Sequence, residues 1–235
     1  MKLCLLALTG FGNAVIEKLI DSPVIDDIVV YTRREKGKFP YYECEQLTDF
    51  CKHNRIRTHI DISMNSSDAY EGLKNFEPDM IIVSTFDQKI PGRIIDLPVL
   101  KTINIHPSLL PRYRGPTPTN WIIINGEKHS GVTFHVIDEE FDMGDILFQQ
   151  KISTDGLTDG ELRRKSAILS AEMLEPFFNM YIEGRLEPIT QSKEQGSYYP
   201  KITSKEGIDL LKSEKFDRHN IIRGLTPYPG IEIIS

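Results

Sequence analysis

The apolar run Leu3–Leu8 stops at Gly10-Phe11-Gly12 and gives way to apolar positions spaced as on one helix face, Val15, Leu19 and Ile20. That pattern predicts a buried strand, a glycine turn and a helix. The stretch "DDIVVYT" (26–32) reads as a second strand, followed by the basic loop "RREKGKFPYY" and a helix over 43–53. Further strands are predicted at 57–60, at "PDMIIVST" (78–85) and at 98–105, the last ending at Asn104 and His106. Strands alternating with helices imply a mostly parallel sheet with helices on both faces, a Rossmann-like α/β architecture whose ligands bind beyond the carboxyl ends of the strands. The pattern then changes. "GVTFHVID" (131–138) alternates like a half-buried strand and "DILFQQKIS" (145–153) looks like its neighbour, which predicts a β-hairpin with functional residues in the acidic loop between them. A helix is predicted over 159–181 with Thr158 or Asp159 as its N-cap. After Gly184 the chain turns irregular before a short helix ending at Gly224. This divides the chain into a main unit, 1–184, and a short C-terminal extension, 185–235.

Composition narrows the classes. The chain has 235 residues, 40% apolar and 26% charged, with a net charge of −6, which describes an ordinary globular protein and argues against a broad nucleic-acid-binding face. Cys4, Cys44 and Cys51 are odd in number and lack CxxC spacing, as expected of reduced thiols in a cytoplasm. The N-terminal apolar run sits at the short edge for a signal peptide and lacks a cleavage site. No run reaches the ~18 residues of a membrane span. The expectation is a soluble cytoplasmic protein that does not bind membranes.

Several candidate chemistries meet obstacles in the sequence. The Gly10-Phe11-Gly12 pair suggests a dinucleotide fingerprint, but Val15 stands at the third glycine position and Tyr31-Thr32-Arg33, with no acid, close the second strand. His106, His129, His135, Asp138, Asp142 and Asp145 could be imagined around a metal, yet no HxH or HxxxH pair is present, so no metal is expected. Ser108 lies in no GxSxG elbow. Asn104 and His106 are more specific: residues two apart on a strand face the same side, and an amide and an imidazole can hold a developing oxyanion. The carboxylate of Asp142 in "FDMGD" can move a proton from an attacking amine.

The stretches "NIHPSLLPRYRG", "NGEKHSGVTFHVID" and "FDMGDIL", in this order and at this spacing, resemble the folate-dependent formyltransferases. The resemblance is strong over about residues 75–155 and looser elsewhere. It implies transfer of a formyl group from 10-formyltetrahydrofolate to a primary amine through a tetrahedral intermediate. Asn104 and His106 would stabilise the oxyanion and Asp142 would assist proton transfer, through water. The pteridine would lie against main-chain groups near Phe86, Gln88, Lys89 and Ile90 and at Val136, Ile137 and Asp138. Leu110-Pro111 looks like the family's cis-proline turn.

Among acceptors, the family's tRNA enzyme carries a further C-terminal domain, whereas this chain ends soon after "IIRGLTPYPG". An acidic chain also gives little support for tRNA binding, which depends on neutralising many phosphates. The expected acceptor is a nucleotide-linked amino sugar, for example dTDP-4-amino-4,6-dideoxyglucose. Methionyl-tRNA and glycinamide ribonucleotide are the alternatives, and a non-catalytic folate-binding protein is the alternative of another class. A pyrophosphate needs cations and a base needs an aromatic face. Arg33, Lys36, Lys38, Tyr41, Tyr42, Arg114 and Tyr198 are the candidates, with the loop at 33–38 equally readable as a solvated turn and Arg112 and Arg114 as supports for the turn at Pro111. The apolar ending "PGIEIIS" fits a homodimer contact or a strand.

Overall fold

The computed structural model describes residues 1–138 and 140–230. Elements follow in the order β1 (Lys2–Ala7), α1 (Phe11–Ile20), β2 (Asp27–Thr32), α2 (Leu47–His53), β3 (Arg57–Ile60), α3 (Ser67–Phe76), β4 (Met80–Ser84) and α4 (Gly92–Ile95). They continue with β5 (Thr102–His106), α5 (Pro118–Ile124), β6 (His129–Val136), β7 (Ile146–Ser153), α6 (Asp159–Ile182), α7 (Ser204–Leu211) and α8 (Arg218–Gly224). The strands form one seven-stranded sheet in the order β3-β2-β1-β4-β5-β6-β7. Pairing is parallel from β3 to β5 and antiparallel at β5–β6 and β6–β7. The predicted α/β class and hairpin are therefore both present.

Alternation along each strand sorts the core into two layers. Leu3, Leu5, Val30, Ile82, Ile103, Ile105, Val132 and Phe134 pack with Val15 and Leu19 of α1 and Met173, Phe177 and Phe178 of α6. Cys4, Leu6, Val29, Ile81 and Val83 face the other way, onto Ala69 and Leu73 of α3 and Ile94 of α4. α6 begins where the sequence placed it. Thr158 caps it, its Oγ1 accepting from the Glu161 N–H while the Glu161 carboxylate accepts from the Thr158 N–H, a reciprocal pair that satisfies two otherwise orphaned donors.

Four helices, α3, α4, α5 and α7, fall where the pattern predicted none. α3 buries only Ala69, Leu73 and Phe76, a stripe too narrow to stand out in a polar segment. α5 is buried on nearly every side, so its "WIII" run carries no amphipathic period to read. The extension is also more ordered than expected. α8 packs on α5 through Ile124, Ile202, Ile221 and Leu225, and Asn120 Nδ2 donates to the Gly224 carbonyl at 2.7 Å. The homodimer reading placed on "PGIEIIS" rests mostly on residues 231–235, outside the described residues. No helix among the described residues is long and apolar enough to cross a membrane.

Candidate active site

The antiparallel register of β5 and β6 sets Asn104 opposite His135 and His106 opposite Thr133. Because Ile103, Ile105, Val132 and Phe134 point into the α1–α6 layer, Asn104, His106, Thr133 and His135 share the other face. Asp142 reaches that face from the hairpin loop. Ile137 N–H donates to the Thr102 carbonyl at the start of β5, and the loop then doubles back to bring the Asp142 carboxylate over the middle of the strand. One oxygen of Asp142 lies 3.5 Å from Asn104 Nδ2, 3.6 Å from His106 Nδ1 and 3.8 Å from His135 Nε2. The other accepts from the Gly115 N–H at 2.8 Å. Asn104, His106 and Asp142, separated in sequence, are thus brought together, and His135 joins them.

Partners orient both histidine rings. His106 Nε2–H donates to the Tyr113 carbonyl at 2.8 Å, which turns Nδ1 toward Asp142. His135 Nδ1–H donates to the Val136 carbonyl at 2.9 Å, leaving Nε2 to accept from Asn104 Nδ2 at 3.0 Å. Burial first, then the nearby His106, pushes the His135 pKa down to about 4, so the ring is neutral at physiological pH and holds the Asn104 amide with its nitrogen toward Asp142. In the unfolded chain the same ring protonates near 6.5. The unfolded state therefore takes up a proton that the folded state refuses, and this residue's contribution to stability, complete above that pH, declines as pH falls toward 4. In an NMR titration, the His135 ring signal is expected to stay flat between about pH 5 and 8. A midpoint near the ordinary histidine value would mean a charged ring that cannot accept from Asn104.

The turn after β5 is held from β6. Thr133 Oγ1 donates to the Ser108 carbonyl and accepts from the Leu110 N–H, and Gln149 Nε2 donates to the Leu110 carbonyl. Leu110-Pro111 is cis. Beside Asn104 lies a cavity of about 140 Å³ lined by Val83, Phe86, Ile90, Ile95, Ile137 and Phe141 on its apolar walls, with Gln88, Lys89, Asp138 and Asp142 at its edges. Val136 lies in β6 next to it. Among the described residues the main-chain N–H groups of Lys89 and Ile90 make no hydrogen bond within the protein. The Gln88 side chain is engaged, accepting from the Met64 N–H and donating to the Ile62 carbonyl, which fixes the loop rather than lining the cavity with an open amide.

The residues predicted for the acceptor fall into two groups. Arg33, Lys36, Lys38, Tyr41 and Tyr42 lie on the loop between β2 and α2. Lys36 and Lys38 are exposed, but Arg33 is paired with Asp87 at 2.6 Å and with Glu35 at 3.6 Å. Tyr41 lies under the Arg163 guanidinium, 4.0 Å from its ring centroid, and the Tyr42 hydroxyl packs near Gly10 without a hydrogen-bond partner among the described residues. Tyr198 is 64% exposed and bridges to Arg114. Arg114 requires a correction: its guanidinium is buried and donates to Gln191 Oε1 and the Ser192 carbonyl, so it is tied to the C-terminal extension and not offered to an acceptor. His135 and Gln191 are the site residues missed from sequence. For His135 the register of β5 against β6 is the signal that finds it; for Gln191 no local pattern does.

A family model described as Formyl transferase matches residues 10–174. The methionyl-tRNA formyltransferase of Clostridioides difficile is 32% identical over 233 residues, covering 98% of this chain and 75% of that protein. That of Caldanaerobacter subterraneus subsp. tengcongensis is 40% identical over 167 residues, 71% of this chain and 54% of that protein. Among solved structures, the N-formyltransferase from Helicobacter canadensis in complex with folinic acid and dTDP-3-aminofucose superposes with a TM-score of 0.72 at 22% identity, covering 99% of this chain and 84% of that one. A 4-N formyltransferase from Francisella tularensis gives 0.73 at 21% identity, covering 98% and 90%. At these identities the structures speak to the fold. The family model and the sequence relatives speak to the lineage, and by them the chain belongs to the formyl transferases and is an enzyme of that class.

Proposed function

We propose that this formyltransferase takes its formyl group from 10-formyltetrahydrofolate and delivers it to the primary amine of a nucleotide-linked amino sugar. The observation that carries the transfer chemistry is the convergence of Asn104, His106 and Asp142 beside the cavity lined by Phe86, Gln88, Lys89, Ile90, Ile137 and Asp138. A flat pteridine suits that cavity, with apolar walls for its faces and main-chain groups for its edges. The acceptor nitrogen bonds to the formyl carbon and a tetrahedral oxyanion forms, stabilised by the Asn104 amide and, with a second proton on Nδ1, by the His106 ring, whose Nε2–H is already given to the Tyr113 carbonyl. Asp142 takes the proton of the amine through water, and the bond from carbon to folate N10 breaks as that nitrogen is protonated. In this reading residues 1–184 form the catalytic unit and 185–235 a C-terminal extension.

The choice of acceptor rests on charge. The chain carries a net −6, and on the loop beside the β1–α1 turn Arg33 is spent on Asp87, leaving Arg34, Lys36 and Lys38 exposed. That suits a diphosphate better than an RNA stem. A second reading, initiator methionyl-tRNA, is favoured by the 32% identity to the Clostridioides difficile enzyme across almost the whole chain. The test is mass spectrometry after incubation with 10-formyltetrahydrofolate and, separately, amino-sugar nucleotides, glycinamide ribonucleotide and methionyl-tRNA. Formyl mass gain on a sugar nucleotide is expected. Gain only on methionyl-tRNA or glycinamide ribonucleotide would overturn the sugar while keeping the reaction, and no gain on any would overturn both in favour of folate binding without catalysis.

A further inference from the structure

Asp142 is held from behind by the C-terminal extension. Gln191 is buried, 8% exposed, and both ends of its amide are used. Nε2 donates to the carbonyls of Asp142 and Gly144 at 3.0 and 2.7 Å, while Oε1 accepts from Arg114 Nε and Nη2 at 3.2 and 2.9 Å. Arg114 is in turn woven into the extension, its N–H donating to the Ser197 carbonyl and its carbonyl accepting from the Tyr199 N–H. The next residue, Gly115, supplies the N–H that holds Asp142 Oδ2. One buried amide therefore links the backbone that carries the carboxylate to the segment between β5 and α5 that anchors it.

The local geometry needs such a brace. Asp142 sits at φ 56, a left-handed conformation that a non-glycine residue keeps only where its surroundings hold it there. Space is equally tight. At Gly144 a Cβ would stand 1.9 Å from the Val136 carbonyl oxygen, and at Gly115, φ 112, it would stand 2.1 Å from that of Tyr199. Backbone is thus packed at contact at Gly144, two residues past Asp142, and at Gly115, whose N–H holds its carboxylate.

We propose that Gln191, backed by Arg114, is a positioning residue for Asp142, setting the orientation of the carboxylate that takes the proton. The inference rests on the reading of Asp142 given above. Its test is a double-mutant cycle, Gln191→Ala and Asp142→Asn alone and together, with Gln191→Glu as an isosteric variant that keeps the acceptor for Arg114 but lacks both N–H donors. Turnover is measured with 10-formyltetrahydrofolate and whichever acceptor gains the formyl group in the assay above. Gln191→Ala and Gln191→Glu are each expected to lower kcat by on the order of 10-fold to 10²-fold, with folate affinity within a few fold of wild type. In the Asp142→Asn background the same changes should cost no more than about twofold, since residues acting as a unit are not additive. A loss of equal size in both backgrounds, or no loss in either, would overturn the proposal while leaving Asp142 in place. Wild-type turnover of Asp142→Asn alone would instead remove the reading beneath it. Hydrogen exchange supplies a readout that needs no acceptor. The Gly115 amide, bonded to the Asp142 carboxylate, should exchange about tenfold faster or more in Gln191→Ala, and unchanged protection there would also overturn the proposal.

Discussion

Asp142→Asn is expected to lower kcat by about 10²–10⁴ while leaving affinity for the folate donor within a few fold of wild type. The substitution is close to isosteric, and asparagine tolerates the left-handed backbone at φ 56 better than most residues, so the loop has no reason to unfold. What disappears is the ability to take a proton. A side-chain oxygen can still accept from the Gly115 N–H, but an amide nitrogen turned toward Asn104 Nδ2 would set donor against donor. Steady-state turnover and a separate donor titration by fluorescence check the two halves of this expectation. Near-wild-type turnover would take Asp142 out of the mechanism.

The second large effect is expected at Asn104→Ala, a loss of about 10²–10³ in kcat, the usual consequence of removing one oxyanion donor. The change also strips His135 Nε2 of its partner, and a buried acceptor left unpaired destabilises by roughly 1–3 kcal/mol. The two contributions separate by experiment. Thermal unfolding reports the second, and kcat measured well below the unfolding temperature reports the first. A variant that melts earlier but turns over normally while folded would make Asn104 a structural asparagine.

Much of the scaffold is legible in the sequence because it is local. The run Leu3–Leu8, the glycine turn after it and the period-two alternation of 131–138 each announce their element within a few residues, and Asn104 and His106 declare a shared face by spacing alone. The cis bond at Leu110-Pro111 came from the resemblance, not from any periodicity. What stays hidden is non-local. His135 becomes a site residue only once β6 is known to run antiparallel beside β5, which no pattern in either strand states. Arg114 looks like a phosphate ligand in a basic turn until Gln191, far along the chain, claims its guanidinium. α5 hides for another reason: a helix buried on almost all sides has no polar face to mark its period.

The brace at Gln191 also bears on the order in which the enzyme is made. A ribosome builds the chain from its amino end, so every strand of the sheet has been synthesised by Ser153, ahead of α6. The grip on Asp142 comes after α6, with the segment around Gln191. The residues of the site on β5 and β6 are therefore made well before the segment that holds the backbone of Asp142.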